Sequence, residues 1–144
     1  MDNAPICVLL VEDNPADVHL VRIVFDELRS AVDLRVVQDG VEALNFLHRR
    51  PPYNQAPRPD LILLDLNMPR MRGLEFLQAM RADPSLRVTP VIVLTTSNAK
   101  SDILLAYELG ANSYITKPTS FDAFLETMAA VDRFWFRVAR LPTR

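Results

Sequence analysis

Short apolar runs alternate with longer amphipathic stretches along the whole of this chain, and that rhythm sets the expected elements. Residues 6–11, 34–37, 61–64, 91–94 and 113–116 read as five strands. The first and third runs, Ile6 to Val11 and Leu61 to Leu64, contain no polar residue at all. A strand of that kind is buried on both faces, which implies a parallel sheet covered by helices.

The stretches between the runs carry apolar residues at helical spacing. Asn14 can cap a first helix with Pro15 in its opening turn, and that helix runs to about Arg29 with Val18, Val21, Val24, Phe25 and Leu28 inward. Asp39-Gly40 turns into a second, with Ala43, Leu44 and Leu47 inward. A third, over about 74–82, buries Phe76, Leu77 and Met80. A fourth spans about 100–109, with Gly110 as the left-handed residue beyond its end. Thr119, answered by Asp122, is the expected cap of the last helix, which from about Ser120 buries Phe121, Phe124, Leu125, Met128 and Val131. Residues 49–59 hold four of the eleven prolines and are a loop. Strand and helix alternate five times, which predicts an α/β, doubly wound five-stranded parallel sheet of flavodoxin-like form with right-handed crossovers. With 144 residues, no internal repeat and no linker, the chain is read as one domain over 1–144, with 134–144 extending the last helix.

Composition narrows the function classes. Hydrophobic residues make up 49% and charged residues 24%, as in ordinary globular proteins. The net charge is −2 with no lysine-arginine cluster, so no nucleic-acid partner is expected. No apolar run approaches the roughly 20 residues of a membrane span, and no signal peptide opens the chain, so a cytoplasmic location is expected. The single cysteine, Cys7, sits in an apolar run and is expected to be a buried thiol.

The chemistry gathers where the strands end. The first run ends in Glu12 and Asp13, the third in Asp65, the fourth in Thr95 and the fifth in Lys117. In an open α/β sheet, ligands bind outside the carboxyl ends of the strands, so these side chains share a crevice. Three carboxylates there repel one another by roughly 1 to 4 kcal/mol per close pair, which calls for a cation. Mg²⁺ suits an oxygen-only donor set, whereas the lack of His and Cys ligands argues against zinc. Lysine and a threonine hydroxyl suit a phosphoryl group, so the set describes phosphoryl transfer with Asp65 as the oxygen nucleophile. A haloacid-dehalogenase type of aspartyl-phosphate hydrolase needs a second acid two residues after the nucleophile. Asn67 stands there and cannot supply a proton. A flavin-binding flavodoxin relative is disfavoured because Glu12-Asp13 would repel the flavin phosphate.

Val11-Glu12-Asp13, Leu64-Asp65-Leu66-Asn67-Met68-Pro69, Leu94-Thr95 and Lys117-Pro118, in that order, resemble the receiver domain of bacterial two-component response regulators over essentially the whole chain. The resemblance implies that Asp65 accepts a phosphoryl group from a sensor histidine kinase. It implies that Asp13 and Asp65 bind Mg²⁺ directly, Asn67 through its carbonyl and Glu12 through water. Thr95 would then hydrogen-bond the phosphoryl group, Lys117 would pair with it, and Tyr114 would rotate inward as Thr95 moves. A cis Lys117–Pro118 bond is implied too. Such proteins are signalling phosphoacceptors that can assist their own phosphorylation and dephosphorylation. With only 26 residues after Pro118, the expected output is a protein interaction or onward phosphotransfer, as in phosphorelay or chemotaxis-type regulators. More narrowly, Arg50-Pro51-Pro52-Tyr53, Leu94-Thr95-Thr96-Ser97 and the tail from Phe134-Trp135-Phe136 to Leu141-Pro142 resemble single-domain regulators paired with bacterial and cyanobacterial phytochrome kinases.

Beyond the last helix, Phe134, Trp135, Phe136, Val138 and Leu141 point in different directions around the helix, more than one face can cover. An apolar surplus of this size predicts a homodimer through the last helix and tail. His19 and His48 are read as solvated, as are Arg70 and Arg72 in the loop after Asp65.

Overall fold

The structure, a computed structural model, describes residues 4–142. Five parallel strands form one sheet: β1 (Ile6–Val11), β2 (Val32–Val37), β3 (Leu61–Leu64), β4 (Val91–Thr95) and β5 (Ser113–Thr116), in the spatial order β2-β1-β3-β4-β5. The helices are α1 (Pro15–Glu27), α2 (Gly40–Leu47), α3 (Gly73–Ala82), α4 (Lys100–Glu108) and α5 (Phe121–Val131). This is the doubly wound, flavodoxin-like architecture that the alternation of runs predicts.

Alternate residues of the same strands build two separate cores, as the period-two geometry of a strand requires. Leu9, Val11, Ile62, Leu64, Val91 and Val93 face one side and pack with Phe46, Phe76, Leu77 and Met80. Val8, Leu10, Leu61, Leu63, Ile92 and Leu94 face the other, against Val21, Val24, Phe25, Phe124, Met128 and Val131. The uninterrupted apolar runs of β1 and β3 are therefore needed by both layers. Cys7 belongs to β1 and is buried, as expected.

Some boundaries differ from the sequence reading. β2 begins at Val32, pairing there with Ile6. As an edge strand it tolerates Asp33 and Arg35, which form an exposed ion pair at 2.9 Å, so the apolar run marks only its second part. The cap of α5 is Ser120, whose hydroxyl accepts from the Ala123 N–H at 3.1 Å, one residue beyond the expected Thr119. Phe121, in the first turn, is exposed instead of buried. His48 is not simply solvated: its Nε2 lies 3.2 Å from Asp83 Oδ2.

The tail also departs from expectation. After Val131 the helix widens into a π-helix over Asp132–Val138. Asp132 is buried and accepts from Ser30 Oγ at 2.7 Å and from Arg137 Nε at 2.8 Å, pinning the tail to the α1–β2 turn. Trp135 and Phe136 pack on the α1/α5 core, Phe136 meeting Phe25 in a tilted ring contact at 5.8 Å between ring centres, and Leu141 is buried. The chain thus covers part of its own apolar surplus. Phe134 and Val138 remain 53% and 63% exposed. Residues 143 and 144 of the extension lie outside the described residues.

Candidate functional site

Hydrogen bonds just beyond the strand ends hold the candidate residues at the rim of the sheet. The Glu12 N–H donates to the Val37 carbonyl at 2.9 Å, Asp65 N–H to Val11 at 3.1 Å, and Lys117 N–H to Thr95 at 2.7 Å. These bonds fix Glu12, Asp65 and Lys117 at one edge of the sheet, outside the carboxyl ends of the strands.

Glu12, Asp13 and Asp65 each bring a carboxylate oxygen within 4.8 Å of the others. Glu12 and Asp65 are buried and Asp13 is exposed. Burial pushes the Glu12 carboxyl up to about 7, with the Asp65 charge adding to the rise and Lys117 opposing it. A divalent cation among these oxygens would offset both burial and mutual repulsion, and an all-oxygen donor set is that of a hard cation. The residues therefore fit such an ion. Asn67 follows in the β3–α3 loop with its side chain exposed.

Thr95 closes β4 and is fully buried, yet its Oγ1 has no hydrogen-bond partner. Buried hydroxyls are seldom left so. Lys117 is 11% exposed, and its Nζ donates to Glu12 Oε1 at 2.6 Å and to Asp17 Oδ2 at 3.1 Å. Burial works against the ammonium, but Glu12, Asp65 and Asp17 outweigh it and raise its pKa above the usual lysine value. The peptide before Pro118 is trans, contrary to expectation; among the described residues the cis bond is Pro51–Pro52. Tyr114 is half-buried on β5, and its hydroxyl donates to the Ser97 carbonyl at 2.9 Å, in the loop that follows Thr95.

Three features escaped sequence reasoning. Asp17, in the first turn of α1, reaches Lys117. Gly73 opens α3 where a Cβ would stand 2.4 Å from the Asp65 carbonyl, so any side chain would push α3 off the site. Arg70, read as solvated, adopts a positive φ of 60° and donates from Nε to buried Asp39 Oδ2 at 2.7 Å. Asp39 also caps α2 through the Glu42 N–H at 2.9 Å, and Glu42 in turn accepts from the Tyr53 hydroxyl. The loop after Asp65 is thereby tied to α2 and to the proline-rich loop. Signals existed in Asp39-Gly40 and in the glycine before Leu74, but contacts across 31 residues have no local mark.

Residues 8–129 match the response regulator receiver domain family. The chain belongs to that family. The receiver domain is 39% identical over 140 residues to response regulator Rcp1 of Synechocystis sp., a match covering 97% of this chain and 95% of Rcp1. It superposes on the phosphorylated cyanobacterial phytochrome response regulator RcpA with a TM-score of 0.91 at 39% identity, covering 96% and 99% of the two chains. On the Mn²⁺-bound form of Rcp1 the TM-score is 0.86 at 38% identity, again covering 96% and 99%. A receiver domain is a signalling module. Among the described residues no helix is long and apolar enough to cross a membrane.

Proposed function

We propose that this receiver domain accepts a phosphoryl group on Asp65 from a sensor histidine kinase, with Mg²⁺ bound by Asp13, Asp65, the Asn67 carbonyl and, through water, Glu12. The observation that carries the reading is the unpartnered Thr95 Oγ1 at the end of β4, the strand next to β3, together with the clustered carboxylates of Glu12, Asp13 and Asp65. An Asp65 oxygen attacks phosphorus as the bond to the kinase imidazole nitrogen breaks. The electron pair returns to the imidazole. Mg²⁺ supplies charge neutralisation between the anionic aspartate and the anionic phosphoryl group. Thr95 donates its free hydroxyl hydrogen to one phosphoryl oxygen, and Lys117 places an ammonium beside another. Withdrawal of Thr95 toward the phosphoryl group opens room at the β4 end for Tyr114 to turn inward, which changes the surface a partner meets.

Likeness to the phytochrome regulator RcpA, over nearly all of both chains, supports a phytochrome-type kinase as the donor. The domain acts as a phosphoacceptor, its own side chains assisting the gain and loss of the group, at work in the cytoplasm. Exposed Phe121, Phe134 and Val138 support a homodimer through α5 and the π-helix. Phosphotransfer from purified histidine kinases, ranked by initial rate, tests the pairing. A phytochrome kinase no faster than unrelated ones would refute it, and no transfer from any kinase would refute the phosphoacceptor role.

A further inference from the structure

Lys117 has a second carboxylate partner that phosphoryl chemistry does not require. Asp17 is the third residue of α1, where an acidic side chain commonly turns back to the N–H of the capping residue. Here the Asn14 N–H donates instead to Glu12 Oε2 at 3.2 Å. The Asp17 carboxylate is left to reach across to β5, where its Oδ2 accepts from Lys117 Nζ at 3.1 Å. Glu12 takes another ammonium hydrogen at 2.6 Å. An ammonium has three donors, so two are held by residues at the β1–α1 end of the crevice.

Lysine is a point charge on a flexible stem, and its position follows the anions that compete for it. We propose that Asp17 is a positioning residue that holds the Lys117 ammonium on the α1 side of the crevice, so that an arriving phosphoryl group must draw the lysine away from it. This inference rests on Asp65 being the phosphoacceptor. Asp17 then weakens phosphoryl binding in the resting protein and sharpens the difference between the two states. Helix support, the ordinary role of an acid in a first turn, explains neither the direction of its side chain nor the length of the bond to Lys117.

The test is titration of the full chain with beryllofluoride and Mg²⁺, a non-covalent stand-in for the phosphoryl group, followed by the Lys117 side-chain NMR signal. Asp17→Asn is expected to bind beryllofluoride about twofold to fivefold more tightly than wild type, the size of a part-exposed ion pair, with the Lys117 signal displaced before ligand is added. Asp17→Glu keeps a carboxylate in reach and is expected to bind as wild type. Equal or weaker binding by Asp17→Asn overturns the proposal, as does equal tightening by Asp17→Glu. Tightening of the same size in a Lys117→Met background also overturns it, since the gain would then come from removing a charge and not from releasing the lysine. A lowered melting temperature with both readouts unmoved leaves Asp17 as a helix residue only and is equally fatal. Wild type that fails to bind beryllofluoride removes the Asp65 assignment itself. Wild-type binding without an Asp17 effect removes this inference alone.

Discussion

Lys117 Nζ lies 2.6 Å from Glu12 Oε1, although β3 and β4 separate their strands in the sheet. The pair spans the crevice and sets a cation among carboxylates that burial and mutual repulsion would otherwise drive apart. One ammonium does not balance Glu12, Asp13, Asp17 and Asp65, and the remaining charge gives the first prediction. Millimolar Mg²⁺ is expected to raise the melting temperature of metal-free protein, with stabilisation of about 2.7 kcal/mol at one hundred times Kd. Asp13→Ala should weaken this response. A thermal scan with and without Mg²⁺ checks both, and an unchanged wild-type melting temperature would count against the metal pocket.

Asp65→Asn is expected to abolish modification by acetyl phosphate while leaving the fold intact. The substitution keeps the size of the side chain and relieves repulsion with Glu12 and Asp13, so melting should be unchanged or raised. Intact-protein mass spectrometry and a melting curve decide it. Full phosphorylation of the Asn variant would remove Asp65 from its role.

Asp39 ties the loop after Asp65 to α2, and this gives a pH signature. Burial pushes its carboxyl up, but Arg70 and the Glu42 and Val41 N–H groups outweigh burial and hold it below the ordinary 3.8. A depressed folded-state pKa gives stability that is present above the unfolded value and lost as pH falls through the folded one. Asp39→Asn, which keeps the cap but loses the charge, should therefore be less stable than wild type at neutral pH and converge with it below about pH 4. Asp39→Ala also loses the cap, for about 0.5 to 2 kcal/mol in all. Urea titrations between pH 3 and 7 test the convergence, and parallel curves would exclude the ion pair as the cause.

Cys7 is 7% exposed, and burial pushes its thiol up to about 11, with Asp33 adding to the rise. A thiol raised in the folded state contributes stability that is complete below the unfolded pKa and is lost as pH rises from about 9 toward about 11. Native protein at neutral pH should resist iodoacetamide, and unfolded protein should react at the rate of a free thiol. Rapid alkylation of the native state would contradict the packing of β1.

Phe134 and Val138 carry the dimer prediction. Trp135, Phe136 and Leu141 cover the chain's own core, so truncation of the tail would confuse folding with association. Phe134→Ser with Val138→Ser is the cleaner variant, since both side chains are exposed. Sedimentation at tens of micromolar is expected to give a wild-type dimer and a monomeric variant of similar melting temperature. A monomeric wild type would remove the dimer.

The order of elements, the two-face burial of β1 and β3, and the family of the strand-end set Glu12, Asp13, Asp65, Thr95 and Lys117 were legible in the sequence. Each rests on local information: side-chain periodicity gives the elements, and in a parallel sheet every strand delivers its last residue to the same edge. The tertiary structure decided what depends on separated segments. It chose Asp17 and Glu12 as partners of Lys117, 100 and 105 residues away, left Thr95 Oγ1 unpaired, and bound Arg70 to Asp39. It also divided the aromatic tail, burying Leu141 and exposing Phe134 and Val138. A helical repeat counts apolar residues, but which of them are covered depends on how the π-helix turns against α1 and the core, and that is set by packing across the whole domain.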